Sequence, residues 1–323
     1  MVKVCFACSA GGHLTELLQL KKLIKSYNHF FFTYKKQNTL ALTSKEKVFF
    51  VCDVNRNPFT LFVNFFQSLQ VFIREKPDFV ITTGAGACFS LCLIAKIYGR
   101  KIINIESFCR VHEPSLFGRV TYPISDLFLV QWSSLLKYYP RAQYCGPVFD
   151  LYFPKKKQFT KKSQIFVTVG TSGSFARLIQ KIDELAKSKI ITNKIIAQIG
   201  TTGYVPKYFE YFNMASQEQF EKMMSQSSLV IAHGGVGSIM QSLSHQNITI
   251  VVPRYKKYGE HVNDHQLDIT KEFQKLDLII PVYDVNQLQE AIERAKKFKP
   301  KNHKRSNTIS NVVIAFVESN KKA

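Results

Sequence analysis

Residues 229–268 read LVIAHGGVGSIMQSLSHQNITIVVPRYKKYGEHVNDHQLD, and few folds accommodate such a run. Four apolar residues, 229–232, meet His233-Gly234-Gly235-Val236-Gly237-Ser238. A helical pattern follows over 236–244, then a β-rich run over 248–252 that Pro253 stops. Strand, glycine turn, helix, strand is the βαβ unit of a parallel sheet. Three glycines in four residues let the backbone approach a ligand closely. The helix starting there offers unpaired N–H groups and partial positive charge to a phosphate. Downstream, His261, Asn263, Asp264, His265 and Gln266 crowd six positions. Such side chains pack poorly in a core and hold sugar hydroxyls well.

The same module opens both halves of the chain. A β-rich run at 2–7 ends in Ser9-Ala10-Gly11-Gly12-His13, and Leu14, Leu17, Leu18 and Leu20 begin a helical apolar face. A second run at 165–169 ends in Gly170-Thr171-Ser172-Gly173, followed by a helical stripe from Phe175. Further strands are expected at 30–33, 48–51, 79–82, 101–105, 127–130, 194–199 and 278–280, with helices over 217–225, 262–273 and 285–297. The lysine-rich 151–163 stretch, with Pro154, reads as a linker. The expected organisation is therefore a domain at 1–150, the linker, a domain at 164–305 and a terminal helix at 306–323 packing on the first domain. The fold class is α/β, with two doubly wound, Rossmann-like parallel sheets that bind ligands at the carboxyl ends of their strands.

Asn57-Pro58 opens a helix over 59–75 as cap and first residue. Ten of its seventeen side chains are apolar, and Thr60, Asn64, Gln67 and Arg74 form a thin polar stripe. Such a helix is either sandwiched in a core or lays one face into lipid.

Charge is lopsided, with 44 Lys+Arg against 23 Asp+Glu, concentrated at 155–162, 254–257, 296–305 and 321–322. A balance like this suits nucleic acid, an anionic membrane surface or acidic substrates. No zinc, helix-turn-helix or aromatic-basic module is present, so nucleic acid is not expected. No run reaches the ~18 apolar residues that span a bilayer, and Met1 leads straight into a strand without a signal peptide. The seven cysteines sit mostly in apolar runs. Cys5 and Cys8 spell CxxC, but residues three apart in a strand face opposite ways, which leaves them core residues of a reducing cytoplasm.

HGGVGS, a proline-ended strand and DHQ together resemble the donor half of family 28 glycosyltransferases. The match is close to the catalytic subunit of the two-subunit enzyme that adds the second N-acetylglucosamine to dolichyl diphosphate. Bacterial capsule and exopolysaccharide relatives share the wording KKYGEH…DHQ. In the first half, SAGGHLTELL, PDFVITTGAG, INIESFCRV and WSSLLKYYPRAQYCG resemble the membrane-recruiting subunit of that same enzyme. The resemblance implies a fusion of the two subunits with the GT-B fold, its two domains facing one cleft. It implies UDP diphosphate at Gly234, Gly235, Gly237 and Ser238, and donor sugar at His265 and Gln266. Many relatives carry an acid three residues after that Ser to grip the ribose; this chain has Gln241, whose amide can still bond both hydroxyls. The eukaryotic relative's N-terminal transmembrane helix is absent here. Membrane contact then falls to the 59–75 helix and the basic surface.

An inverting transfer needs a base for the acceptor hydroxyl and stabilisation of the leaving diphosphate. His13 is the first candidate base, since an imidazole titrates near neutrality; Glu106, at a strand exit, is the rival. Glu16, one turn after His13, is read as orienting a loop. Gly11, Gly12, Thr83, Gly84 and Ser107 are assigned to the acceptor's diphosphate and saccharide. Gly170, Thr171 and His233 line the donor pocket, His233 by hydrogen bonding alone. Arg254 adds a cation, and Glu260 touches the donor sugar. No DxD motif appears at a strand end, so no metal and no cofactor are expected. The expected partners are a UDP-sugar, a polyprenyl-diphosphate-linked saccharide and an anionic membrane surface on the cytoplasmic side. The alternatives are a UDP-sugar epimerase or soluble-acceptor transferase of this fold, or a non-catalytic sugar-nucleotide scaffold.

Overall fold

A computed structural model describes residues 2–321 except Arg56, 152–162, 171–172, Asn302 and 304–307. The expected linker thus lies almost wholly outside the described residues, and so does Thr171. Two compact units emerge, Met1–Asp150 with Arg305–Ala323, and Leu151–Lys304.

The strands of the first unit are β1 Lys3–Cys8, β2 Asn28–Tyr34, β3 Val48–Val51, β4 Phe79–Gly84, β5 Lys101–Ile105, β6 Leu127–Val130 and β7 Gln143–Tyr144. The second unit holds β8 Gln164–Thr168, β9 Lys194–Gln198, β10 Glu210–Phe212, β11 Leu229–His233, β12 Ile248–Val252 and β13 Ile280–Pro281. In chain order the helices are α1 Gly12–Leu17, α2 Lys21–Ser26, α3 Gln37–Leu40, α4 Pro58–Glu75, α5 Phe89–Ile97, α6 Leu116–Thr121, α7 Ala176–Lys187, α8 Gln217–Gln226, α9 Val236–Ser244, α10 His265–Lys275, α11 Leu288–Ala295 and α12 Thr308–Asn320. The helix expected at 262–273 starts later, at His265.

Every strand pair in both sheets is parallel. The orders are β3-β2-β1-β4-β5-β6-β7 and β10-β9-β8-β11-β12-β13. Each order reverses once, between β1 and β4 and between β8 and β11. Loops leaving the carboxyl ends on either side of such a reversal splay apart and leave a crevice that ligands occupy. Helices cover both faces, so the central strands are buried throughout. Cys5 packs with Ala7 on one face of β1 and Cys8 with Val4 and Phe6 on the other, the alternation that forbids joint chelation. Helix α12 lays Ile309, Val313 and Val317 into the first unit's core.

Helix α4 is turned opposite to an ordinary flanking helix. Asn57 caps it through the Phe59 N–H, with Pro58 at the first position. Polar side chains on it face inward: Asn64 Nδ2 donates to the carbonyls of Cys52 and Ala87 at 2.9 and 3.2 Å, and Glu75 pairs with Lys3 and Lys47 at 2.8 Å each, while Arg74 stays exposed. Phe59, Phe62 and Phe66 are left 72%, 62% and 53% exposed, so the sandwiched alternative is excluded for that face.

Candidate functional site

In each unit a histidine ties together the two loops that flank the sheet reversal. In the first, β1 exits into Gly11, whose φ of +84° lets the chain turn into α1. His13, on α1, points its Nδ1 at the Thr83 carbonyl of β4, 2.7 Å away. A carbonyl only accepts, so Nδ1 carries the proton and the neutral ring keeps its lone pair on Nε2. Thr83 Oγ1 returns a bond to the His13 carbonyl at 2.9 Å. Burial lowers the imidazole pKa below its ordinary 6.5, opposed by the Thr83 bond and by Glu106. His13 is half-buried, neutral at pH 7, and oriented.

Gly84 closes against this ring; a Cβ there would lie 3.2 Å from Phe117 and 3.5 Å from His13. Ala85 follows at φ +94° and ψ 159°, a region nearly restricted to glycine. Gly11 and Gly12 are exposed, with nothing within 4 Å of a Cβ added at either.

Glu106 differs from its expected part. It is 3% exposed, and its carboxylate accepts from the N–H groups of Ser107 and Ser115 and from the Tyr139 hydroxyl at 3.0, 3.2 and 2.8 Å. Gly118 backs it so closely that a Cβ there would lie 2.2 Å from Oε2. A carboxylate enclosed by three donors is a poor proton acceptor for a substrate, and the geometry gives Glu106 a structural role.

Glu16 orients a loop, as its spacing suggested. Its carboxylate accepts from Ser107 Oγ, the Phe108 N–H and Gln131 Nε2 at 2.9, 2.9 and 3.0 Å. Ser107 is thereby 7% exposed and turned toward Glu16. Burial pushes the Glu16 pKa up from 4.5 to about 7 against these donors. A folded pKa above the unfolded one gives stability that is complete at low pH and lost as pH rises through about 7. Glu16→Gln keeps an acceptor for Phe108 and Gln131 and presents an N–H to the Ser107 hydroxyl. Urea unfolding at pH 6 and pH 8 is expected to show wild type losing stability relative to Glu16→Gln at the higher pH. An equal difference at both values would contradict the assignment.

In the second unit, His233 ends β11, 7% exposed, with Nδ1 3.4 Å from the Thr168 carbonyl of β8. Its ring lies between two glycines: a Cβ on Gly170 would be 2.7 Å from Nε2, and one on Gly235 2.2 Å. Burial and then the neighbouring Arg254 hold its pKa down to about 3, so it is a neutral hydrogen-bonding group near pH 7. Gly234 meets Gln266, where a Cβ would lie 2.7 Å from the Gln266 Cβ. Helix α9 begins at Val236 with no side-chain cap at Gly235, and Gly237 and half-buried Ser238 lie in its first turn. That start presents the N–H groups an anion needs.

Arg254 is 2% exposed, donates Nη2 to the Val169 carbonyl at 2.7 Å, and donates its backbone N–H to Gln266 Oε1 at 3.1 Å. The same cation lies beside Gly173, where a Cβ would be 2.6 Å from Nη1. His265 and His261 stack edge to face at 4.6 Å, with Asn263 between them in the hydrogen-bond network. Gln241 donates its amide to Glu221 of α8 at 3.4 Å. Glu260 departs from its expected contact with a sugar. It is 8% exposed and accepts from Arg177 Nε and Nη2 and from the Tyr255 N–H at 2.9, 3.0 and 3.0 Å. Arg177 was not singled out in the sequence, because a basic residue in the first turn of a helix carries no local signal. Among the described residues no group of three or more His, Cys, Asp or Glu could hold a metal ion.

Two doubly wound parallel sheets, each with a glycine turn and a histidine at its reversal, are the parts of the GT-B fold. Solved structures carry the same fold. Acinetobacter baumannii MurG aligns over 99% of this chain and 100% of its own at TM-score 0.63 and 16% identity. UDP-GlcNAc 2-epimerase from Methanocaldococcus jannaschii aligns over 99% and 100% at TM-score 0.70 and 12% identity. Residues 53–148 match the family "Oligosaccharide biosynthesis protein Alg14 like", and residues 164–318 match "Glycosyltransferase family 28 C-terminal domain". UDP-N-acetylglucosamine transferase subunit alg14 of Schizosaccharomyces pombe is 32% identical over a 167-residue alignment that covers 43% of this chain and 80% of that protein. The chain belongs to the Alg14-like family, and carries the family 28 glycosyltransferase domain in the same polypeptide.

Proposed function

We propose that the protein is an inverting, β-linkage-forming hexosyltransferase that moves a sugar from a UDP-sugar to a polyprenyl-diphosphate-linked saccharide in polysaccharide or glycan assembly. The observation that carries this reading is His13, a neutral imidazole whose Nδ1 is committed to Thr83 and whose Nε2 is left to take a proton. The acceptor hydroxyl gives its proton to Nε2 as its oxygen bonds the anomeric carbon. The bond from that carbon to the diphosphate breaks on the opposite face, and UDP departs with the electron pair. The N–H groups opening α9 and the buried Arg254 meet the charge that develops on it, which makes the reaction metal-independent in this reading. The names of the S. pombe relative and of the M. jannaschii neighbour both contain UDP-N-acetylglucosamine or its abbreviation, which supports this nucleotide sugar as the first donor to try. A panel of UDP-sugars with a lipid-linked acceptor, read by UDP release, is expected to single out one donor. Release from none would overturn the reading.

The proposed location is the inner face of the cell membrane, as a peripheral protein. No helix among the described residues is long and apolar enough to cross a bilayer. Its support is the outward face of α4, with exposed Ile97 at the end of α5, Tyr98 just after it, and Leu116 and Val120 of α6, and with Arg74, Lys76 and Lys96 also exposed. Burying one Phe in the interface is worth about 1.5–3 kcal/mol, so Phe62→Glu with Phe66→Glu is expected to weaken binding to anionic vesicles by more than about tenfold. Cosedimentation tests this; unchanged binding would remove the proposed face, and capture by DNA instead would replace the partner.

A further inference from the structure

We infer that Arg177 is a positioning residue for the donor, holding the loop between β12 and α10 so that its far end presents His265 and Gln266. The inference deepens the reading of this unit as a UDP-sugar site and rests on it. Arg177 stands in the first turn of α7, on the other side of the sheet reversal from that loop. Its guanidinium meets Glu260 fork to fork, Nε and Nη2 on Oε1 and Oε2 at 2.9 and 3.0 Å, and Nη2 also reaches the Pro253 carbonyl at 3.3 Å. Pro253 begins the loop and Glu260 lies past its bend, where Gly259 adopts φ +66° to double the chain back. Between them Tyr255 and Tyr258 place their rings 5.5 and 4.9 Å from the same guanidinium, which also faces Phe175 at 5.3 Å.

One side chain therefore fastens the start of the loop, the rings within it and Glu260 beyond its bend, while the stretch that follows is open, with Val262 81% exposed. The hold continues into the site, because the Arg254 N–H, next to Pro253, bonds Gln266 Oε1. Lysine keeps the charge but has neither the fork nor the planar face that lies against three rings. Within this network only Gln266 meets the glycine turn, at Gly234, and neither Arg177 nor Glu260 bonds Gly237 or the first residues of α9. The expected defect is thus larger for the sugar than for the diphosphate.

Binding of UDP and of UDP-N-acetylglucosamine is measured by calorimetry for wild type, Arg177→Lys, Glu260→Gln and the double variant. UDP affinity is expected to stay within about twofold, which also reports that the unit is folded, while UDP-N-acetylglucosamine weakens about tenfold in each single variant and no further in the double. Equal weakening of both ligands would mark Arg177 as merely structural and overturn the inference, as would no weakening of either. A wild type that binds no UDP would remove the underlying donor reading instead, a different and recognisable failure.

Discussion

His13→Ala is expected to lower kcat by about 10²–10⁴-fold, with KM for the UDP-sugar nearly unchanged. The size follows from the part proposed for the ring. Removing a general base leaves the leaving-group stabilisation on the other unit intact, so donor binding survives while proton removal does not. The geometry also fixes the pH behaviour. Burial lowers the His13 pKa below 6.5, and the active form is the neutral one. In wild type the acid limb of kcat should therefore fall below the ordinary histidine range, the rate dropping only as Nε2 takes a proton from solvent. Thr83 matters through its carbonyl, so Thr83→Val, which keeps that carbonyl and removes the hydroxyl bond to His13 O, should cost far less. Full activity in His13→Ala, with loss in Glu106→Gln, would return the base to Glu106 despite its three donors.

Gly235→Ala should be the most damaging single methyl in the donor unit. The backbone at Gly235 has φ −82°, so alanine fits the conformation and only space is at issue. Its Cβ would lie 2.2 Å from His233 Nε2 and about 3 Å from two further ring atoms. The ring has little room to retreat, because the Gly170 backbone on its other side is near enough that a Cβ built there would lie 2.7 Å from it. Forcing a side chain into such a space costs about 1–3 kcal/mol, so UDP affinity is expected to drop about 5- to 150-fold. If the cause is steric, His233→Ala in the same chain relieves it, and the double variant binds UDP better than Gly235→Ala alone. A double variant weaker than the single would show that His233 acts on the nucleotide more than on packing.

The periodic parts of the sequence carried most of the fold. Glycine turns between a β-rich run and a helical stripe marked the exits of β1, β8 and β11, and those are three of the four exits flanking the sheet reversals. Short edges were not legible: β7 and β10 have two and three residues, too few to show a period. Helix α6 was also missed, its six residues being fewer than two turns. For α4 the length and cap were readable, but the direction of its apolar face was not. That depends on Asn64 finding two loop carbonyls brought to it by β3 and β4, which are distant in sequence. Site residues divide the same way. His13, His233, Gly234, Gly235 and Gln266 announced themselves by local composition. The enclosed state of Glu106 and Glu260 did not, because Tyr139 and Arg177 lie 33 and 83 residues away.

The most direct test of the proposed reaction is the mass of the lipid itself. Purified protein is incubated with UDP-N-acetylglucosamine, and with the other UDP-sugars in turn, together with a polyprenyl-diphosphate-linked saccharide, and the extracted lipid is weighed by mass spectrometry while UDP is counted. The expected result is a lipid heavier by one sugar residue for each UDP released, absent in His13→Ala. A UDP-sugar converted to its epimer or hydrolysed, with the lipid mass unchanged for every donor, would contradict it.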